Sequence, residues 1–134
     1  MKGRSYGECI AAEKYLPRLT VHRSGLDSFV MRDNPAPADI QLARQGFKLA
    51  KKVVASGKYD MVILDEINIA THYTLLSVPE VLEIIDCRAP GVELILTGRY
   101  ADERILERAD LVTEMLERRH YYQQGVQART GIEK

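Results

Sequence analysis

The stretch YDMVILDEINIA, residues 59–70, carries the strongest evidence about the fold of this chain. Residues 61–65, MVILD, begin with an unalternated apolar run, which is typical of a strand covered on both faces in a parallel sheet. Two adjacent carboxylates, Asp65 and Glu66, follow that run. Because ligands of open parallel sheets bind beyond the carboxyl ends of the strands, this acidic pair marks a candidate site.

Helical and strand-like patterns alternate over the rest of the chain. Apolar residues recur at steps of three and four over 37–57, and Ser77 and Glu80 have capping-box spacing before a second helix. Strands are predicted at residues 19–23, 61–65, 92–96 and 109–115, with helices at 6–16, 37–57, 77–87 and 101–109. This order predicts an α/β fold, a three-layer sandwich with a mostly parallel sheet.

Composition and charge narrow the class of protein. A length of 134 residues with a hydrophobic share of 46% predicts one domain with a single core. Basic and acidic residues balance at 19 each, which gives no electrostatic attraction to nucleic acid or an anionic membrane. The two cysteines lack CxxC spacing, and no apolar run approaches the length of a membrane helix. We therefore expect a soluble cytoplasmic protein without nucleic-acid or membrane partners.

Polar residues follow both of the most apolar predicted strands. Asn68 comes after the acidic pair, and Thr97, Gly98 and Arg99 follow the strand at 92–96. Carboxylate oxygens at a strand end can hold hydrated Mg²⁺ against phosphates. Arg99 could supply a planar cation to phosphate oxygens, with Gly98 leaving room for close approach. The pattern therefore predicts a site for a metal-bound polyphosphate.

A structural interpretation of the same residues stays open at this point. A strand that leaves the core meets water, and Asp65 or Glu66 would then cap or turn the chain. An arginine just past a strand, such as Arg99, commonly forms a surface ion pair. The three histidines are dispersed without metal-ligand spacing, so they add no metal site.

Motifs in a consistent order along the chain resemble those of one enzyme family. They are KGR (2–4), PADIQLARQGFKLAK (37–51), YDMVILDEINIA (59–70), VPEVLEIID (78–86), GVELILTGR (91–99), ERADLVTEM (107–115) and GVQARTGIE (125–133). As a set they are similar to the ATP:corrinoid adenosyltransferases of cobalamin biosynthesis and salvage. The resemblance extends over the whole chain and implies a P-loop NTPase-like fold.

The resemblance also implies a reaction. Such an enzyme transfers the 5′-deoxyadenosyl group of ATP to a Co(I) corrinoid and releases triphosphate. Since Co(I) is itself the nucleophile, the protein has to position ATP, neutralise the triphosphate with Mg²⁺ and cations, and exclude water. A reductase supplying Co(I) and a homodimeric state are further expectations from the family.

Site residues are carried over from the matching motifs. Glu66 would be the Mg²⁺ ligand, with Asp65 beside it as a direct or outer ligand, and Arg99 would face the polyphosphate. The other positions implied in nucleotide or corrinoid binding are Asn68, Thr97, Gly98, Phe29, Gln127 and Arg129.

Two departures from the family pattern matter. Family members begin with a strand, a glycine-rich loop ending in Gly-Lys-Thr-Thr, a helix and a second strand, whereas this sequence opens at MKGR. None of its nine glycines lies in a GxxxxGK[ST] motif, so the resemblance implies an N-terminally incomplete domain over 1–134 with uncovered strand edges and apolar faces. Residues 24–35, SGLDSFVMRDNP, stand in place of a Phe-Thr-Trp segment, with Phe29 as a partial substitute.

Three hypotheses follow. The chain is the greater part of an adenosyltransferase whose start was cut or misplaced, which upstream codons for the missing loop would establish. Alternatively, it is a non-catalytic corrinoid-binding paralogue, which ATP binding would refute. In the third hypothesis it is a structural subunit completed by another polypeptide, which should then co-purify with it. The intact LDEIN and LTGR motifs favour the first.

Overall fold

The protein is described from a computed structural model, which defines residues 7–25, 34–129 and 132. The chain divides into two compact units. The first unit comprises residues 1–3 and 23–110, and the second comprises residues 4–22 and 111–134. The expectation of a single domain over residues 1–134 stays a prediction.

The described residues form helices and a small sheet. In chain order these are α1 (Gly7–Tyr15), α2 (Pro37–Ala55), β1 (Met61–Leu64), α3 (Ile67–His72), α4 (Val78–Asp86), β2 (Glu93–Leu96), α5 (Glu103–Leu106) and a 3₁₀ turn (Tyr121–Gln124). No described helix has both the length and the apolar character that a membrane crossing demands. The α/β class predicted from the sequence is confirmed.

The sheet consists of β1 and β2, which pair in parallel. Met61 lies opposite Glu93, and Leu64 lies opposite Leu96, so both strands end at the same edge. The predicted strands at 19–23 and 109–115 are wrong, since the structure gives these described segments no strand. A suitable composition does not make a strand where no neighbouring backbone offers ladder hydrogen bonds.

One face of the sheet is uncovered, which corrects the expectation that β1 is buried on both faces. Alternate side chains point to the same face of a strand, and Met61 and Ile63 are 51% and 52% exposed. Ile95, the partner of Ile63 on β2, is 38% exposed. Uncovered apolar surface of this kind is what the resemblance led us to expect. On β1, Val62 and Leu64 are the more buried residues.

Helices α2 and α4 follow their sequence signals closely. Pro37 occupies the first turn of α2, and Val54 near its end is fully buried. The capping box before α4 is confirmed, because the Glu80 carboxylate accepts hydrogen bonds from the Ser77 N–H at 2.7 Å and the Ser77 hydroxyl at 2.8 Å. The predicted helix at 101–109 is shorter than expected and comprises only α5.

The apolar core of the first unit lies around α2 and the segment after α3. Its buried members are Ala43, Ala70, Leu75 and Leu76, and Ile40, Phe47, Ile67 and Tyr73 pack against them. The apolar stripe predicted on α2 supplies three of these side chains, at positions 40, 43 and 47. The core therefore supports α3 and the segment that follows it.

The second unit contains α1 and the 3₁₀ turn. The helix at α1 was predicted from the sequence and is confirmed. His120 caps the 3₁₀ turn, since its Nδ1 accepts a hydrogen bond from the Tyr122 N–H at 3.0 Å. Several apolar side chains of this unit are exposed, among them Leu111 at 83% and Met115 at 93%.

Candidate active site at the strand ends

The turn between β1 and α3 has an unusual backbone. Glu66 caps the N-terminus of α3 with φ of 60° and ψ of 22°, which is the left-handed region. This conformation costs a residue other than glycine roughly 1–2 kcal/mol, so surrounding contacts must hold it in place. Short helix α3 was not predicted, because no element was assigned to the residues that follow the acidic pair.

Hydrogen bonds join this turn to the end of β2. Glu66 N–H donates to Thr97 Oγ1 at 2.9 Å, and Thr97 Oγ1 donates to Asp65 Oδ1 at 2.8 Å. Asn68 contributes two more bonds: its N–H donates to the Thr97 carbonyl at 3.2 Å, and its Nδ2 donates to the Gly98 carbonyl at 3.1 Å. We call Asp65, Glu66, Asn68, Thr97 and Gly98 the strand-end cluster.

Gly98 packs against the turn as only a glycine can. Its φ is 118°, a region that other residues rarely adopt. A Cβ at this position would lie 3.2 Å from Glu66 Oε2, 3.2 Å from Asn68 Cβ and 3.3 Å from Glu66 Cα. The observed close approach is therefore to the β1–α3 turn, and the predicted approach to phosphate stays a prediction.

Asn68 lies at the centre of the cluster and is only 6% exposed. Its Oδ1 is buried without a hydrogen-bond partner among the described residues. Because the Gly98 carbonyl can only accept, Asn68 must turn Nδ2 toward it, which fixes the direction of Oδ1. A buried acceptor that lacks a donor is uncommon in proteins and is often found at functional sites.

Arg99 follows the cluster in the sequence, and its side chain packs on the ring of Tyr100. Its guanidinium carbon lies 5.5 Å from the ring centroid of Tyr100, which stacks on His72 with centroids 4.3 Å apart. Within the described part of the chain, Arg99 makes no hydrogen bond or ion pair. The structure therefore does not show Arg99 in the surface ion pair that the structural interpretation expected.

Three further residues, Gln127, Arg129 and Phe29, were predicted to take part in nucleotide or corrinoid binding. Gln127 and Arg129 belong to the second unit, where Gln127 Nε2 donates to the Gly125 carbonyl at 3.4 Å. Arg129 lies over the ring of Tyr121, with its guanidinium carbon 5.0 Å from the centroid. Phe29 lies outside the described residues. The roles of all three in substrate binding stay predictions.

The cluster offers oxygen ligands of the kind that Mg²⁺ prefers. Asp65 is exposed and Glu66 is half-buried, so their carboxylates lie near the surface at adjacent positions. Residues 7–25, 34–129 and 132 contain no group of three or more His, Cys, Asp or Glu side chains suited to one metal ion. That finding is compatible with Mg²⁺, which usually takes one or two carboxylates and completes its shell with water and substrate phosphates.

A separate groove of about 540 Å³ lies in the first unit. Its lining includes Arg44, Glu80, Asp102 and Arg104 but no member of the strand-end cluster. The charges are paired, with Arg44 3.0 Å from Glu80 and Arg104 2.8 Å from Asp102. The Arg104 guanidinium lowers the pKa of Asp102 to about 2. This groove is therefore not the polyphosphate site predicted at the strand ends.

Comparisons with known proteins agree with the motifs. The family model described as "ATP:corrinoid adenosyltransferase BtuR/CobO/CobP" matches residues 1–133. A corrinoid adenosyltransferase of Sinorhizobium sp is 35% identical over 108 residues, which are 80% of this chain and 50% of that protein. The corrinoid adenosyltransferase of Pseudomonas aeruginosa is 31% identical over 129 residues, which are 96% of this chain and 63% of that protein.

The corrinoid adenosyltransferase of Escherichia coli K12 is 34% identical over 96 residues, which are 72% of this chain and 49% of that protein. The chain thus spans between 49% and 63% of the length of these relatives. With the family model matched almost from end to end, the chain belongs to the ATP:corrinoid adenosyltransferase family.

Proposed function

We propose that the strand-end cluster binds the magnesium triphosphate part of ATP during transfer of the 5′-deoxyadenosyl group to a Co(I) corrinoid. The observation that carries this proposal is the hydrogen-bonded contact between the two strand ends, which holds Asp65 and Glu66 at the carboxyl edge of a parallel sheet. The names of the matched relatives support the reaction class.

Each residue of the site has a defined task in this proposal. Asp65 and Glu66 would hold Mg²⁺, which neutralises charge on the triphosphate as it leaves. Arg99, whose guanidinium is free of acidic partners in the described part of the chain, supplies positive charge to the phosphate oxygens. Asn68 offers a buried amide oxygen to a donor on the substrate.

The chemistry requires orientation more than reactive side chains. The Co(I) substrate attacks the 5′ carbon of the ribose, the bond from that carbon to oxygen breaks, and triphosphate departs with the electron pair. The chain therefore has to hold the 5′ carbon in line with the attacking and leaving atoms and to exclude water. The Thr97 hydroxyl does not act as a nucleophile.

We also propose that β1 and β2 belong to a larger parallel sheet of the P-loop NTPase-like type. The exposed apolar side chains of Met61, Ile63 and Ile95 support this, because a sheet face of this kind is normally covered. Residues 1–134 lack a GxxxxGK[ST] loop, so most of the phosphate cradle would not come from them. This chain by itself should bind ATP weakly and transfer little adenosyl group.

A chimera tests the proposed function. Residues 1–134 replace the matched part of the Pseudomonas aeruginosa relative, and the rest of that protein is kept. Under anaerobic conditions with ATP and a chemically reduced corrinoid, the chimera should form adenosylated corrinoid and triphosphate in equal amounts. Glu66→Gln should lower turnover by about 100-fold or more, since a group that stabilises charge on the leaving atoms is lost.

The matched control is Glu93→Gln, because Glu93 is an exposed carboxylate at the opposite end of β2. Its turnover should equal that of the unmodified chimera. Unchanged turnover in the Glu66→Gln chimera would refute the role given to this carboxylate. Corrinoid binding without any ATP binding would instead favour a non-catalytic paralogue. A reductase partner and a homodimer stay predictions.

A further inference from the structure

The Thr97 hydroxyl both accepts and donates a hydrogen bond in the turn formed by Asp65 and Glu66. The Glu66 N–H can only donate, so Thr97 Oγ1 accepts that hydrogen bond at 2.9 Å. The Asp65 carboxylate can only accept, so the Thr97 hydroxyl donates its one proton to Asp65 Oδ1 at 2.8 Å. The proton of this hydroxyl is therefore committed to the protein rather than available to a substrate.

The two hydrogen bonds restrain the Asp65 side chain and the Glu66 backbone. Asp65 is an exposed carboxylate, and its side chain would otherwise rotate among several positions. Glu66 adopts the left-handed conformation, which is strained for a residue with a side chain, and its N–H is partly buried. The backbone of Thr97 is anchored as well, since its N–H donates to the Leu64 carbonyl at 3.2 Å.

We propose that Thr97 is a positioning residue, whose hydroxyl fixes the Asp65 carboxylate and the Glu66 backbone in the arrangement that receives the phosphate-bound cation. This inference rests on the proposed function of the two carboxylates. The sequence-based expectation that Thr97 takes part in nucleotide or corrinoid binding stays a prediction. Substitution of partners that hold metal ligands in this way typically lowers metal affinity by about 10- to 100-fold.

The test compares four substitutions in the full chain. Thr97→Val keeps the shape of the side chain and removes both hydrogen bonds, whereas Thr97→Ser keeps the hydroxyl. Thr20→Val is the matched control, because Thr20 is exposed and lies in the second unit. Thr97→Cys, with a similar volume and a weaker hydrogen-bonding group, serves as a milder variant if Thr97→Val does not fold.

Two quantities are measured for each variant: amide hydrogen exchange of Glu66 by nuclear magnetic resonance, and affinity for Mn²⁺ alone by electron paramagnetic resonance. We expect Thr97→Val to speed Glu66 exchange by about tenfold or more, since its N–H loses its acceptor. Mn²⁺ affinity should fall by about 10- to 100-fold. Thr97→Ser and Thr20→Val should match the unmodified chain in exchange rate and in Mn²⁺ affinity. Thr97→Cys should give values between those of the unmodified chain and Thr97→Val.

The outcomes separate this inference from the proposed function. Unchanged Glu66 exchange in Thr97→Val would overturn the positioning role by itself. Faster exchange with unchanged Mn²⁺ affinity would show that the positioning has no effect on the cation, which also overturns the inference. Absence of Mn²⁺ binding by the unmodified chain would refute the proposed metal role of Asp65 and Glu66, and with it the purpose assigned to Thr97.

Discussion

Replacement of Gly98 by alanine should destabilise the first unit through two effects, backbone strain and a steric clash with the β1–α3 turn. The backbone φ of 118° is strained for any residue with a side chain. The new methyl group would also meet Glu66 Oε2 at 3.2 Å and Glu66 Cα at 3.3 Å. The carboxylate oxygen can move aside, but the Cα belongs to the turn that carries the acidic pair.

The magnitude follows from these two effects. Backbone strain in a region reserved for glycine costs about 1–3 kcal/mol, and overpacking against groups that cannot move freely costs about 1–3 kcal/mol more. We therefore expect Gly98→Ala to lower the free energy of unfolding by about 2–6 kcal/mol. Gly91→Ala provides the comparison, because Gly91 has φ of 84° and its added Cβ would meet nothing within 4 Å.

Urea unfolding followed by circular dichroism measures both variants. Gly91→Ala should show the strain alone, about 1–2 kcal/mol, and Gly98→Ala should exceed it by at least 1 kcal/mol or so. Gly7→Ala, at the start of α1 with open space around the added Cβ, should not destabilise the protein. Equal losses for Gly98→Ala and Gly91→Ala would refute the contact between Gly98 and the acidic turn.

Three further predictions concern other parts of the first unit. Ser77→Ala should cost about 1 kcal/mol in urea unfolding at pH 7. The hydrogen bonds from the Ser77 N–H and the Ser77 hydroxyl lower the pKa of Glu80 below its ordinary value of 4.5, so their stabilisation is present above pH 4.5 and lost as pH falls through the folded value. Ser77→Ala removes only the contribution of the hydroxyl. Ile84→Ala should cost about 2–5 kcal/mol, and Ile63→Ala much less, since Ile63 is half exposed. In the chimera, Tyr100→Ala should raise the KM for ATP several-fold, because the Arg99 guanidinium loses the aromatic ring on which it packs. Tyr100→Phe keeps the ring and should leave the KM unchanged.

Much of the fold could be predicted from local signals. Helix α2 follows its apolar periodicity, α4 follows the Ser77 and Glu80 capping box, and both observed strands lie in apolar runs. Those signals act over a few residues, so they are visible in a sequence. The strands predicted at 19–23 and 109–115 failed because a strand also needs a neighbour to pair with.

The contact between the two strand ends was expected from the sequence, but the internal geometry of this candidate site was not. The rule that ligands bind at the carboxyl ends of parallel strands correctly brought Asp65 and Thr97 together, although they are 32 residues apart. Helix α3 was missed because it starts at a left-handed Glu66, whose conformation depends on hydrogen bonds from another strand end. The stacking of His72 on Tyr100 has no sequence signal at all.

The central claim is that the acidic strand end binds the magnesium triphosphate of ATP. Isothermal titration of the unmodified chain with ATP, with and without Mg²⁺, tests it most directly, alongside Glu66→Gln and the control Glu93→Gln. We predict ATP binding that depends on Mg²⁺ and is weaker than the low-micromolar range, where the binding free energy would be roughly 8 kcal/mol. This binding should be lost in Glu66→Gln and kept in Glu93→Gln. Equal Mg²⁺-dependent binding by the unmodified chain and Glu66→Gln would contradict it.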